Sequence, residues 1–262
     1  MDHLLDLDRF PLDRPESDGY RLLVEACKDD IDVRGMFNLA GFVRADALAR
    51  CVAEIKPVLA DNAYTHRQLH NIYFQNSVAG LASDHPALLQ AETSNRKICA
   101  DQIQESLLLK IYEWPALAGF LAKVMDKDAL HPMDDPLARV NVMTYADGEA
   151  LNWHFDRSEF TTTLLLQAPE TGGVFEYRSD LRSDEDPNYD GVAKLVLGMD
   201  DAVRTVALAA GTLNVFKGKN TAHRVTPVEG DTNRTIAVFS YYEAPGVRFS
   251  AEDQRRFYGR VA

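Results

Sequence analysis

Short β-type segments separated by turn residues fill the second half of this sequence, and they constrain the fold more than any other feature. They begin after about Leu137, and Gly172, Gly173 and Gly211 stand between them. The predicted strands are Arg139–Tyr145, Thr161–Gln167, Val174–Tyr177, Val203–Leu208, Thr212–Phe216, Ala222–Thr226 and Thr235–Tyr242. Because helices do not alternate with these strands, an α/β sheet is disfavoured and two antiparallel sheets are expected. The polar, turn-rich stretch Asp180–Asn188 predicts a surface insertion.

The first 130 or so residues are expected to be rich in helix. Apolar residues recur at three- and four-residue steps in Ala45–Leu59, which predicts an amphipathic helix. A second helix is predicted over Pro115–Met125, since proline suits the first turn of a helix. The stretch between them carries mixed signals, because His66–His70 is compatible with a helix and Ile72–Phe74 with a short strand.

The length of 262 residues fits a single domain. We divide it into a helix-rich support that also faces the substrate (1–137), a jelly-roll core (138–245) and a C-terminal segment (246–262). A jelly roll built from two sheets has a wide mouth in which side chains from distant strands converge. The expected class is therefore mainly β, with N-terminal helices packed on the outside of one sheet.

Charge and cysteine content restrict the partners and the compartment. The net charge is -12 and the pI is about 5.0, which disfavours nucleic acid because phosphate binding needs clustered lysine and arginine. Cys27, Cys51 and Cys99 form no disulfide or zinc pattern and indicate a reducing compartment. The acidic N-terminus lacks signal-peptide features, and no segment has the ~20 apolar residues that span a bilayer. We expect a cytoplasmic protein without a membrane partner, with oligomerisation left open.

Three potential metal ligands lie in the predicted core. His154 and Asp156 are two residues apart, so on a β-strand they would share one face while Phe155 points the other way. His223 follows far downstream, on a strand that can return to the same place in a barrel. Two imidazoles and one carboxylate on one face of an ion leave the opposite positions open, which suits ferrous iron. No cysteine is placed to suggest structural zinc.

Arg234 precedes the apolar strand Thr235–Phe239. An arginine that points into a barrel is costly unless it meets a carboxylate, with which its planar guanidinium forms two parallel hydrogen bonds. A dicarboxylate co-substrate would meet that need. The alternative is a surface ion pair with Glu229 or Asp231.

Taken together, these motifs resemble those of the Fe(II)/2-oxoglutarate-dependent oxygenases. The matching segments, within residues 139 to 245, are Tyr145–Gly148, Asn152–Asp156, Gly173–Tyr177, Gly211–Phe216, His223–Val228 and Arg234. The resemblance implies a double-stranded β-helix, a cupin-like jelly roll, with Fe(II) on the two histidines and the aspartate. It further implies 2-oxoglutarate as co-substrate and O2 as oxidant. Arg234 would hold the distal carboxylate of 2-oxoglutarate, and Tyr145 and Asn141 would add hydrogen bonds to it.

A closer similarity is carried by Trp153–Gln167 and Ser240–Tyr242. These segments are similar to the branch that contains BesD-type halogenases and hydroxylases of free amino acids, lysine among them. Those halogenases lack the carboxylate ligand, and chloride takes its place. Because Asp156 is present here, the resemblance implies hydroxylation of an unactivated C–H bond in a small polar substrate, with a free amino acid such as lysine as the first choice.

Candidate substrate contacts follow from charge and shape. They are Arg96 for a carboxylate, Asp134, Asp135 or Glu149 for a cation, and Trp153 and Tyr258 as walls of the pocket. Three alternative functions stay open. A peptide or protein hydroxylase would need an open groove, a non-catalytic cupin-like module would need no Arg234, and a halogenase would incorporate halide.

Overall fold

The structure, a computed structural model, describes residues 1–75 and 77–262. Within these residues the chain forms six α-helices and fifteen β-strands. The helices are α1 (Asp18–Arg34), α2 (Ala45–Asn62), α3 (Leu107–Tyr112), α4 (Pro115–Val124), α5 (Tyr189–Val196) and α6 (Ala251–Tyr258). The strands are β1 (Met36–Leu39), β2 (Tyr64–His70), β3 (Ala91–Cys99), β4 (His131–Pro132), β5 (Val140–Tyr145), β6 (Leu151–His154), β7 (Phe160–Gln167), β8 (Thr171–Gly172), β9 (Phe175–Arg178), β10 (Arg204–Val206), β11 (Leu213–Lys217), β12 (Ala222–Val225), β13 (Val228–Glu229), β14 (Arg234–Phe239) and β15 (Tyr241–Tyr242).

Two antiparallel sheets face each other and form a jelly-roll core. The large sheet has the order β1-β11-β7-β14-β5-β3-β2, and the small sheet has the order β10-β9-β12-β6. Phe216 of the large sheet packs against Phe175 of the small sheet, with ring centroids 5.1 Å apart. The space between the two inner faces is where side chains of both sheets meet, so it is the natural place for a site.

Strand β7 shows how the sequence assigns its residues to the two faces of the large sheet. Leu164 and Leu166 join the core formed with the helices, whereas Leu165 between them packs with Tyr145 and Ile236 on the inner face. Strand β7 therefore contributes apolar side chains to both faces, because one face meets helices and the other meets the interior of the barrel.

The helices of the N-terminal half cover the outer face of the large sheet. Ala47, Cys51 and Ile55 are the buried stripe of α2, and they share one core with outward-facing strand residues such as Val142 and Ala237. Helices α1, α3 and α4 contribute to the same core. The apolar stripe predicted for Ala45–Leu59 is thus buried as expected.

The strand predictions after residue 137 are confirmed to within a few residues. The predicted strand Thr235–Tyr242 is divided into β14 and β15, because β15 leaves the large sheet and pairs with β4. The helices predicted at Ala45 and Pro115 are also confirmed, as α2 and α4. Strand β6, which carries a metal-ligand candidate, was not among the predicted strands. The Asp180–Asn188 stretch is a turn region, as expected, and leads into the unpredicted helix α5.

The helical interpretation of His66–His70 is wrong. The segment lies within β2, which pairs with β3 along its whole length and forms the edge of the large sheet. Ile72–Phe74 is not a strand and contains a turn. The neighbouring strand supplies the hydrogen bonds of the β2 backbone, and this contact is not visible in local periodicity.

The three cysteines are buried and form no disulfide. Among the helices of residues 1–75 and 77–262, none combines the length and apolar character needed to cross a bilayer.

Candidate metal and co-substrate site

His154 and His223 lie side by side on neighbouring strands of the small sheet. His154 ends β6, and His223 on β12 is its direct partner in the antiparallel pairing. Asp156 lies just beyond the strand end, so the turn after β6, rather than strand alternation alone, orients it. Its two carboxylate oxygens each lie 3.4 Å from Nε2 of one histidine. One donor atom from each of the three residues falls within 4.8 Å of the others, which is close enough for a single ion.

Hydrogen bonds to the main chain determine which imidazole nitrogens are free. Nδ1 of His154 lies 2.8 Å from the carbonyl oxygen of Asn152, and Nδ1 of His223 lies 3.0 Å from that of Thr221. A carbonyl only accepts, so each Nδ1 donates its proton and each Nε2 keeps a lone pair. Burial, together with the neighbouring His223, lowers the pKa of His154 and favours the neutral form that binds metals.

The carboxylate of Asp156 is held by Thr161 and Gly218. Oγ1 of Thr161 donates to Oδ2 of Asp156, and the N–H of Asp156 donates to the carbonyl of Gly218 at 3.0 Å. A Cβ atom on residue 218 would lie 2.6 Å from Oδ2, so only glycine leaves room for this carboxylate. Burial by itself raises the pKa of Asp156, but the histidines, when they carry a second proton on Nε2, outweigh burial and hold that pKa well below its usual value.

Arg234 begins β14, opposite Tyr145 on β5. Its side chain is 3% exposed, no carboxylate in the described chain pairs with it, and its Nη1 has no hydrogen-bond partner. Among the described residues, Arg234 forms no surface ion pair with Glu229 or Asp231. The guanidinium carbon lies 5.9 Å from the ring centroid of Tyr145, whose hydroxyl donates only to Sδ of Met143 at 3.8 Å. Arg234 also lines a cavity of about 350 Å³ beside Gly173, where a Cβ atom would lie 3.2 Å from its Cδ.

The side chains of Asn141 and Tyr258 bond to the protein itself. Nδ2 of Asn141 donates to the carbonyl of Leu137 at 2.8 Å, and Oδ1 accepts from the hydroxyl of Tyr258 at 2.9 Å. Asn141 and Tyr258 therefore use their polar groups within the protein, and their hydrogen bond anchors α6 to β5.

Asp135 also has a structural place instead of the predicted contact with a cationic substrate. It is fully buried, and its Oδ1 accepts from the N–H groups of Leu137 and Ala138. Its Oδ2 accepts from the N–H of Phe249 and the side-chain amide of Gln254. The carboxylate ties the C-terminal segment to the start of β5, which leaves no edge open to a substrate.

Arg96 and Trp153 do not line the cavity that opens beside the triad, which consists of His154, Asp156 and His223. Arg96 is two residues from Ile98, which packs in the core beneath the helices, so strand alternation directs Arg96 to the outer face. Trp153 is buried with Val192 of α5, and the guanidinium of Arg224 stacks 4.8 Å from its ring. Neither predicted substrate contact lines this cavity, because each side chain points to the face away from His154, Asp156 and His223.

The cavity that opens onto His154 and Asp156 has a volume of about 590 Å³. Four aromatic and four cationic side chains dominate its lining: Tyr73, Phe74, Phe155, Phe257, Arg157, Arg182, Lys219 and Arg256. None of the eight was among the predicted contacts. Arg182 lies within the stretch predicted as a surface insertion, where its acidic neighbours gave no signal. Helix α6, which brings two of the eight, could have been found from the N-cap pattern Ser250 to Asp253.

Solved structures with similar folds cover most of this chain at low sequence identity. An oxidoreductase of the 2OG-Fe(II) oxygenase family from Burkholderia pseudomallei has 16% identity and a TM-score of 0.54, covering 86% of this chain and 92% of its own. The carbocyclase SnoK from nogalamycin biosynthesis has 13% identity and a TM-score of 0.58, covering 87% and 89%. The epimerase SnoN, solved with Fe3+, alpha ketoglutarate and nogalamycin RO, has 16% identity and a TM-score of 0.55, covering 84% of each chain. These likenesses show the fold.

Comparison with curated proteins gives no match. A family model described as Halogenase D matches residues 23–254, which is most of the sequence and includes the triad and Arg234. The chain therefore belongs to the Halogenase D family.

Proposed function

We propose that this protein is an Fe(II)- and 2-oxoglutarate-dependent dioxygenase that hydroxylates an unactivated C–H bond of a small polar substrate, such as a free amino acid. The observation that carries the proposal is the cluster of His154, Asp156 and His223 in a protein that also buries an unpartnered Arg234. A non-catalytic cupin-like module has no use for that arginine.

The donor set fits a ferrous ion. Two neutral imidazoles with free Nε2 atoms and one carboxylate are a donor set that would hold a ferrous ion from one side and leave positions for exchangeable ligands. Backbone carbonyls orient both imidazoles, and Thr161 orients the carboxylate. When bound there, Fe(II) with 2-oxoglutarate and O2 supplies the oxidising chemistry, which releases succinate and CO2 and delivers one oxygen atom to the substrate.

Arg234 is suited to bind the distal carboxylate of 2-oxoglutarate. A buried guanidinium without a carboxylate partner is strongly destabilising, and an incoming carboxylate would satisfy it through two parallel hydrogen bonds. Burial lowers the pKa of Arg234, because the charged guanidinium has lost its hydration and gained no carboxylate in return. Tyr145 lies beside this guanidinium and is placed to orient it or to add a hydrogen bond to the co-substrate.

Asp156 favours hydroxylation over halogenation, although the family model carries the name of a halogenase. In the resembling halogenases, chloride needs the place of a missing carboxylate. Here that place is filled by a carboxylate fixed by Thr161 and fitted against Gly218. A halide would have to displace an anionic ligand that two imidazoles already face.

The shape of the cavity supports a small-molecule substrate over a peptide. Arg256 and Phe257 of α6 line the cavity together with Tyr73 and Phe74. A volume of about 590 Å³ is in the range of pockets that enclose small molecules. A peptide hydroxylase would require an open groove across these walls.

An anaerobic titration tests the metal and co-substrate site. Adding Fe(II) and then 2-oxoglutarate is expected to produce the visible charge-transfer band of a chelated 2-oxo acid. His154→Ala and Asp156→Ala should lose the band, whereas the matched control His3→Ala, at an exposed histidine, should keep it. A band of unchanged intensity in both ligand variants would refute the site.

Turnover assays then test the reaction. Succinate formation should require Fe(II) and O2, and mass spectrometry of a substrate library should show products that gain one oxygen atom. Chloride and bromide are added in parallel, because a product carrying halide would establish halogenation instead. Oxidation of a proline-containing peptide, with no small molecule oxidised, would favour the peptide hydroxylase.

A further inference from the structure

The cavity above the triad carries a charge opposite to that of the whole chain. The protein has a net charge of -12, yet the lining contains three arginines and one lysine. Among the described residues of that lining, Asp156 is the only acidic one, and its carboxylate lies beside the two histidines. A concave wall of one sign raises the local concentration of ligands of the other sign.

Two of the four cations are already neutralised by carboxylates outside the cavity. Nη1 of Arg157 lies 2.9 Å from Oδ1 of Asp253, and Nζ of Lys219 lies 2.7 Å from a carboxylate oxygen of Asp184. The other two, Arg182 and Arg256, have no carboxylate partner in the described part of the chain.

Arg182 is held in place by contacts that leave part of its guanidinium free. Its Nε and Nη2 both donate to the backbone carbonyl of Lys219, at 2.9 Å and 2.7 Å. The guanidinium carbon also stacks 3.9 Å from the ring centroid of Phe155. These contacts fix the plane of the guanidinium, while Nη1 has no hydrogen-bond partner among the described residues. A fixed guanidinium with open donors and no carboxylate is suited to bind an oxyanion.

Arg256 stands at the mouth of the same cavity, on α6. It is exposed, and its guanidinium carbon lies 5.9 Å from the ring centroid of the neighbouring Phe257. Phe74 and Tyr73 also line this space, so an apolar substrate body would meet aromatic rings while its charged end meets arginine.

We infer that the substrate is an organic anion whose carboxylate or phosphate group pairs with Arg182, with Arg256 adding attraction at the mouth. This inference rests on the proposed function, because it places the anion beside the iron site. It disfavours lysine, since a side-chain ammonium would meet two unpaired arginines and no free carboxylate. Acidic amino acids and related small organic acids fit the lining better.

The test uses probes that share an aromatic body and differ only in the charged group. The protein, loaded anaerobically with Fe(II) and saturating 2-oxoglutarate, is titrated with phenylacetate, phenylacetamide, phenethylamine and phenyl phosphate, and the visible band reports occupancy of the cavity. L-Glutamate and L-lysine form a second pair. We expect at least one anion to bind roughly 10- to 100-fold more tightly than the neutral amide, the range of one charge-assisted contact. The stronger of the two aromatic anions distinguishes a carboxylate site from a phosphate site.

Variants then assign the preference to Arg182. Arg182→Met should abolish the preference for anions while keeping the band with 2-oxoglutarate, which shows that the iron site is intact. Arg182→Lys, which keeps the charge, should retain part of the preference for anions. This variant serves as the test if Arg182→Met folds poorly. Arg255→Met is the matched control, because Arg255 is exposed on α6 outside the cavity lining.

The possible failures are distinguishable. A wild-type protein that gives no band with Fe(II) and 2-oxoglutarate would overturn the proposed function. Other results would overturn only the anion site while the band with Fe(II) and 2-oxoglutarate is normal. These are an equal response to amide and anion, tighter binding of the amines, or no response to any anion. An anion preference that persists in Arg182→Met would likewise remove Arg182 from it.

Discussion

Lys97 provides a quantitative test of the packing, because its charge is buried without a carboxylate partner. The residue lies on β3 and is 8% exposed, and its Nζ donates to the backbone carbonyl of Phe257 at 3.2 Å. No carboxylate of the described residues pairs with it, and the ring centroid of Tyr258 lies 5.9 Å from Nζ. Burial lowers the pKa of Lys97 from 10.5 to about 8. The folded state therefore holds this proton less tightly than the unfolded state.

The sign and size of the effect follow from that difference. Between about pH 8 and pH 10.5 the unfolded chain binds more protons at this group, so its contribution to stability rises with pH across that window. Below pH 8 the full cost applies, and the lowered pKa corresponds to about 3 kcal/mol. Lys97→Met removes the charge and loses one hydrogen bond worth about 1 kcal/mol. The variant should therefore be more stable than the wild type by about 2 kcal/mol at neutral pH.

Urea unfolding at two pH values measures this difference. The advantage of Lys97→Met should shrink by about 2 kcal/mol between neutral pH and about pH 10, because the wild-type lysine is then neutral in the folded state. Groups common to both proteins, such as the buried tyrosines and cysteines, largely cancel in the comparison. Lys194→Met, at an exposed lysine of α5, is the control and should show no such trend. A stability difference between Lys97→Met and wild type that does not change with pH would refute the reasoning.

Three further predictions concern the site and its support. Gly218→Ala should displace the carboxylate of Asp156 and so weaken Fe(II) binding roughly 10- to 100-fold, while the urea midpoint changes little. Unchanged metal affinity would show that this close contact is unimportant. Arg234→Met should raise the 2-oxoglutarate concentration needed for the visible band by roughly 100-fold or more, and it should stabilise the protein in the absence of co-substrate. Unchanged affinity for 2-oxoglutarate would remove Arg234 from the co-substrate site. Asp135→Asn should lower the free energy of unfolding by about 3 kcal/mol, because the NH2 group of the asparagine would face N–H donors, and it should accelerate proteolysis of the C-terminal segment. A urea curve identical to that of the wild type would contradict the structural role of Asp135.

The sequence predicted the cluster of candidate metal ligands better than the substrate contacts, and the reason lies in the surrounding motifs. The His154–Asp156 pair is a weak signal by itself, but His223, Arg234 and the neighbouring segments together resemble one family of oxygenases, and the structure brings the three donor groups together. Only the charge of Arg96 and Asp135 indicates a substrate contact in the sequence. Charge does not say which face of a sheet a side chain occupies, or whether backbone N–H groups already surround it.

Local patterning also explains which elements could be predicted. The strands of the core alternate or run apolar between glycine turns, and Ala45–Leu59 has helical periodicity, so both were recognisable from neighbours along the chain. Strand β2 is polar and lies at a sheet edge, where its structure depends on pairing with β3. Residue patterns within β2 carry little information about that distant partner.

The sequence by itself determined the class of fold and pointed to the three candidate donor groups and to Arg234, because these depend on residue type and short-range periodicity. Only the tertiary structure decided which side chains surround the open side of the site. The loop with Arg182 and the helix with Arg256 reach it from different parts of the chain. Their convergence depends on long-range packing, and it gives an acidic protein a cavity lined by cations.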